Sequence, residues 1–168
     1  MTTAIRSLYE LTATTLEGEP VSLARFRAKV TLAVNVASEC GFTPQYASLE
    51  KLHEEFLPRG FSVLGFPSNE FGGQEPGDAF QIREFCTRLY GVTFPMFSKG
   101  RVRPGSGQSP VYDFLTGEGE VPSWNFCKYL VGRDGRVIRF FASDVAPESA
   151  ELREAIRRAL AEGNERKS

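Results

Sequence analysis

The chain is poor in the residues that metal centres and disulfide frameworks require. It has one histidine, His53, and three cysteines, at positions 40, 86 and 127. No two of them form a Cys-x-x-Cys unit, and an odd count spread this widely is not a disulfide framework. The same scarcity argues against a Cys/His metal site. An excess of one charge is also lacking: 20 Lys and Arg face 21 Asp and Glu, a net charge of −1 with no basic block. That balance argues against nucleic acid as a main partner. The arginines from Arg153 to Arg158 alternate with Glu151 and Glu154 and read as a solvated helix face. No apolar run approaches the roughly 20 residues of a membrane helix, and the first residues lack the basic and apolar regions of a secretory leader. The expected setting is a reducing cytoplasm, where any disulfide is transient and catalytic.

What is present is an ordinary globular composition, 41% hydrophobic and 24% charged, over 168 residues. A chain of that length buries about 70% of its unfolded surface in one core, so a single domain is expected over 1–168. Tyr9–Thr15 and Val21–Leu23 around the turn Glu17–Pro20 read as a hairpin. Lys29–Val36 is a continuous apolar run of the kind buried on both faces of a sheet, and Phe61–Phe66 is another short apolar strand. Thr43–Phe56 reads as a helix, with Thr43 as N-cap, Pro44 in first position, and Tyr46, Leu49, Leu52 and Phe56 on one face. A glycine-rich loop, Ser68–Gly77, leads to a second helix over 78–90 with an apolar face of Ile82, Phe85, Cys86 and Leu89.

Further on, Phe94–Phe97 is extended and Pro110–Leu115 makes a short helical turn. Trp124–Leu130 and Arg136–Phe141 flank the hairpin turn Gly132–Gly135. Pro147–Ala161 forms a last helix carrying Leu152, Ile156 and Leu160. The order βα, βα, hairpin, α describes an α/β fold: a thioredoxin-like sandwich with an additional N-terminal β-hairpin.

Cys40 stands where this order places reactive groups, between the end of a strand and the start of a helix. The positive end of a helix stabilises a thiolate over a thiol, and the thiolate is the nucleophile. Reducing a peroxide needs such a thiolate, donors to hold it and a route back to thiol. Gln74, Trp124 and Asn125 offer neutral N–H donors, which hold a sulfur without quenching it in an ion pair. Read singly, each residue also has a packing role: a buried small thiol, a core indole, a strand-end amide, a glutamine that braces its loop.

Together they form a pattern. Asn35–Thr43 (NVASECGFT), Phe66–Gly77 (FPSNEFGGQEPG) and Trp124-Asn125-Phe126 resemble the three signature blocks of the glutathione peroxidase family, and Tyr90–Phe97 and Lys128–Gly135 are similar to family segments as well. The resemblance covers nearly the whole chain in order. It implies a thioredoxin fold and a peroxidatic tetrad of Cys40 as nucleophile with Gln74, Trp124 and Asn125 as partners. It implies no cofactor, and with cysteine at position 40, no selenium. Similar cysteine members use a second, resolving cysteine and are reduced by thioredoxin rather than glutathione. Cys86, 46 positions beyond Cys40, stands at the matching helix position. Its other reading is a core residue beside Ile82 and Leu89.

A disulfide requires Cα atoms within about 7 Å, so the resolving role predicts that the second helix unwinds around Cys86. Ser68 stands where the family often has cysteine, and Glu70 where it has glutamine. Cys127, expected on a strand, reads as packing. The stretch between Leu115 and Trp124 is short, whereas in tetrameric, glutathione-using members of the family this region is longer and contributes to assembly; the resemblance thus implies a monomer with an open site. The expected activity is reduction of hydrogen peroxide and organic or lipid hydroperoxides. A redox sensor relaying oxidation to a partner protein would use the same cysteines.

Overall fold

Two short antiparallel strands, β1 (Thr12–Thr14) and β2 (Pro20–Ser22), open the fold as the expected hairpin, and Ala13 pairs with Val21. Leu8–Glu10, part of which was expected to be strand, forms a turn of 3-10 helix capped by Ser7 and Glu10. The computed structural model describes residues 4–117 and 119–165.

The main sheet has four strands: β3 (Val30–Val36), β4 (Phe61–Pro67), β5 (Lys128–Val131) and β6 (Val137–Phe141). Their order is β4-β3-β5-β6, with β4 parallel to β3 and the other pairs antiparallel. All seven residues of β3 and of β4 are buried, as continuous apolar runs demand when helices cover both faces. Alternation along β3 divides the interior. Val30, Leu32, Val34 and Val36 face one core with Tyr46, Leu49, Ile156 and Leu160, while Ala33 faces a second with Val111, Leu115 and Tyr129.

Four helices complete the fold: α1 (Gln45–Phe56), α2 (Ala79–Tyr90), α3 (Pro110–Thr116) and α4 (Ala150–Glu165). The α2 boundaries follow from its caps. Asp78 and Gln81 form a reciprocal capping box, and Gly91 closes the helix in the left-handed region at φ 58°. Three expectations are corrected. Helix α1 starts at Gln45, because the Thr43 hydroxyl is engaged in the preceding loop. Leu89 is 65% exposed, so the buried stripe of α2 is Ile82 and Cys86 alone. Helix α4 begins at Ala150, where the Ser149 hydroxyl accepts from the Leu152 N–H, and continues through Gly163.

Candidate active site

Cys40 lies in a tight loop between β3 and α1. The Thr43 hydroxyl closes that loop, donating to the Ala37 carbonyl at 2.8 Å and accepting from the Cys40 N–H at 2.9 Å. Cys40 is 7% exposed, and its sulfur accepts the Phe42 N–H at 3.3 Å. With α1 starting five positions on, the amide nearest in sequence that serves the sulfur belongs to this turn. This contact directs one oriented backbone N–H at the sulfur.

Two other loops converge on this one. The Glu39 N–H donates to the Gln74 carbonyl at 3.0 Å, which ties the glycine-rich loop to the residue beside Cys40. The Asn125 side-chain amide donates to Gln74 Oε1 at 3.0 Å and to the Phe71 carbonyl at 3.3 Å. Trp124 lies over Gly72, where a Cβ would stand 2.9 Å from the indole Cη2; at φ 71° this close approach requires glycine. The guanidinium of Arg103 lies over the Phe71 ring, 4.4 Å from its centre, and Phe71 in turn packs on Trp124.

The turn that carries Trp124 and Asn125 is held by Asn35, a buried polar residue inside β3. Its side chain donates to the Trp124 carbonyl at 2.9 Å and accepts the Cys127 N–H at 3.1 Å, while its backbone carbonyl accepts the Phe126 N–H at 2.6 Å. Phe126 adopts φ 66°, a conformation costly for a bulky side chain. The segment Trp124–Cys127 is therefore a clamped turn, and the strand expected from Trp124 begins only at Lys128. The three loops thus place Gln74 and Asn125 in hydrogen-bond contact and join Gln74 to the Cys40 loop.

A family model for glutathione peroxidase matches residues 8–116. The chain belongs to this family and is a peroxidase. It is 46% identical over 156 residues to the hydroperoxy fatty acid reductase gpx1 of Synechocystis sp., covering 86% of this chain and 92% of that protein. It is 47% identical over 146 residues to the glutathione peroxidase-like peroxiredoxin GPX5 of Chlamydomonas reinhardtii, covering 84% and 90%. The fold superposes on the crystal structure of Trgpx in apo form with a TM-score of 0.76 at 34% identity, covering 94% and 97%. The thioredoxin-like architecture is thereby shown.

In this peroxidase all three thiols are free. Cys86 is fully buried in α2, and its carbonyl accepts the Val92 N–H, so it lies within the last turns of an intact helix. Burial pushes its thiol up to about 11, and the Tyr46 hydroxyl against it pulls the other way. Cys127 precedes β5, is fully buried, and its sulfur lies 3.4 Å from the Ser143 hydroxyl. The neighbouring Lys128 is buried too, with its ammonium donating to the Ser143 and Val145 carbonyls.

The two departures from the family pattern form one local unit. The Ser68 hydroxyl donates to Glu70 at 3.3 Å, and the Glu70 carboxylate accepts the Val102 and Arg103 N–H groups. Among the described residues no group of three His, Cys, Asp or Glu is placed to hold a metal, and no helix is long and apolar enough to cross a membrane. Sequence reasoning missed Asn35 and Thr43, although an asparagine inside a seven-residue buried strand is a signal that something across the sheet requires it.

Proposed function

We propose that this peroxidase runs a two-cysteine cycle on hydrogen peroxide and organic or lipid hydroperoxides, with Cys40 as the attacking thiolate. The sulfur attacks one peroxide oxygen, the O–O bond breaks, and the other oxygen leaves as water or alcohol after taking a proton. Cys40 becomes a sulfenic acid. Gln74 and Trp124 donate to the sulfur and the departing oxygen, and Asn125 holds Gln74. The Cys86 thiol then condenses with the sulfenic acid, releasing water and forming an intramolecular disulfide. Thioredoxin reduces that disulfide by dithiol exchange, in preference to glutathione. No cofactor is needed, because each half-reaction is a two-electron step carried by sulfur. The protein works as a cytoplasmic monomer, without nucleic acid and without stable membrane insertion.

The observation that carries this reading is the hydrogen-bonded path from the loop of Cys40 through Gln74 to Asn125. The resolving role of Cys86 is supported by how lightly α2 is anchored. It fully buries only Ile82 and Cys86, while Phe80 is 72% exposed and Leu89 is 65% exposed. A helix that fully buries two side chains, with Phe85 and Tyr90 only partly covered against the core, opens at a lower free-energy cost than a fully buried one, as a disulfide to Cys40 requires. Lipid hydroperoxides as substrates are supported by the name of the cyanobacterial relative.

Peptide mapping after one equivalent of peroxide tests the cycle. A Cys40–Cys86 disulfide is expected; a persistent sulfenic acid at Cys40, or a bond to Cys127, overturns the assignment of Cys86.

A further inference from the structure

Glu75 follows Gln74 and is only 1% exposed, yet neither of its carboxyl oxygens makes a well-aligned hydrogen bond, the Ser38 hydroxyl and N–H beside it included. Its backbone is held firmly. The N–H donates to Asn69 Oδ1 at 2.8 Å, and the carbonyl accepts the Lys99 ammonium at 3.0 Å. Glu75 borders a cleft of about 460 Å³ between the Cys40 loop and α2, lined also by Ser38, Glu39, Gln81, Ile82 and Phe85. The Ser38 hydroxyl on the same cleft, and the Tyr46 hydroxyl against Cys86, likewise make no well-aligned hydrogen bond. Glu75 and Ser38 thus face α2 across the cleft, opposite Ile82 and Phe85, and Cys86 follows Phe85 on that helix, where the Glu75 charge bears on its thiol. A buried carboxyl without a well-formed hydrogen bond is costly, and in a folded protein it marks a function or a proton.

The chemistry of resolution supplies the function. Only thiolate attacks a sulfenic sulfur, and a thiol pushed up to about 11 is ionised in about one molecule in ten thousand at neutral pH. Burial also raises the proton affinity of Glu75, opposed by Ser38 and Lys99 and reinforced by Glu39. A carboxylate with raised proton affinity is a stronger base toward a thiol.

We propose that Glu75 accepts the Cys86 proton in the resolving step, an inference that rests on the two-cysteine reading. The S–H bond of Cys86 breaks as its proton passes to the Glu75 carboxylate. The resulting thiolate attacks Cys40, the S–S bond forms and the sulfenic S–O bond breaks. The departing hydroxide takes the proton from Glu75 and leaves as water. Cys86 is oxidised, Cys40 is reduced, and the carboxylate is regenerated. Because Glu75 sits on the anchored loop and Cys86 on the lightly held helix, proton transfer occurs where the thiol leaves its core.

The test follows both steps in rapid-quench experiments on the full chain, using dimedone capture for the sulfenic acid and mapping for the disulfide. Glu75→Gln is expected to form sulfenic acid at the wild-type rate and to form the disulfide at least tenfold more slowly at pH 7. Its disulfide rate should climb steadily toward high pH, as an unassisted thiol does, and Glu75→Asp should restore part of the loss at neutral pH. A Glu75→Gln variant with the wild-type disulfide rate and pH profile overturns the proposal, as does equal slowing of both steps. Wild-type protein that forms no Cys40–Cys86 disulfide overturns the two-cysteine reading itself, before any variant is compared, and this proposal with it.

Discussion

Asn125 commits its side-chain amide to two acceptors, Gln74 Oε1 at 3.0 Å and the Phe71 carbonyl at 3.3 Å. Both of its N–H groups are thereby used inside the protein, so in this state it acts on Gln74 rather than on the sulfur. On the proposed cycle, Gln74, its oxygen so held, turns its own N–H groups to the sulfur. The pair forms one donor unit, with Asn125 as the support.

That arrangement predicts a coupled loss. Asn125→Ala leaves Gln74 without its support and should slow oxidation of Cys40 by hydrogen peroxide about 100-fold, the lower end of what loss of a preorganised donor costs. Gln74→Ala should cost a similar factor, and the double variant no more than the larger single loss. Stopped-flow measurement of the second-order rate constant checks this. Losses that multiply would mean that the two amides reach the sulfur independently.

Asn35→Ala should destabilise the fold by about 2–4 kcal/mol, since it strands the Trp124 carbonyl and the Cys127 N–H in the interior. Urea denaturation measures the loss. Trp124 is the only tryptophan, so its near-ultraviolet circular dichroism should weaken in the same variant while the helical signal is kept.

Cys40→Ser should consume no peroxide beyond the uncatalysed rate. Cys86→Ser should consume one equivalent and then stall, with thioredoxin-coupled NADPH oxidation falling at least about 100-fold. Titration of residual peroxide against enzyme concentration separates the two outcomes. Sustained thioredoxin cycling in the Cys86 variant would remove that residue from the cycle.

Lys128 gives a pH signature. Burial pulls its ammonium from the ordinary 10.5 down to about 8. Between those values the unfolded chain still holds the proton that the folded protein has released, so this residue makes stability rise with pH across that window, by up to about 3 kcal/mol. Buried Cys86 and the buried tyrosines, raised above their ordinary values, work in the opposite direction as the unfolded chain ionises. Urea midpoints from pH 7 to 10 should therefore fall more steeply, or rise less, in Lys128→Met than in wild type. Parallel curves would mean that the Lys128 ammonium stays charged in the fold.

Periodicity made most of the scaffold legible. The unbroken apolar runs of β3 and β4 and the three- and four-residue spacings of α1 and α4 appear where expected, because each pattern matches the geometry of one element. It failed where a neighbouring layer decides the outcome. Leu89 shares the helical face of Ile82, but spacing says which residues share a face and not how far the adjacent layer extends. Trp124–Cys127 has strand composition, yet Asn35 captures its amides and bends it into a turn.

The sequence by itself determined the elements, the family and the residue types of the site, because local patterns and short motifs are written in consecutive positions. The tertiary structure decided which donor acts on which acceptor. Gln74 and Asn125 are 51 positions apart, and Asn35 and Trp124 are 89 apart. Hydrogen bonds are directional over about 3 Å, so only the packed loops could show that Asn125 binds Gln74, that Asn35 holds the Trp124 turn, and that Glu75 is buried on the cleft facing α2.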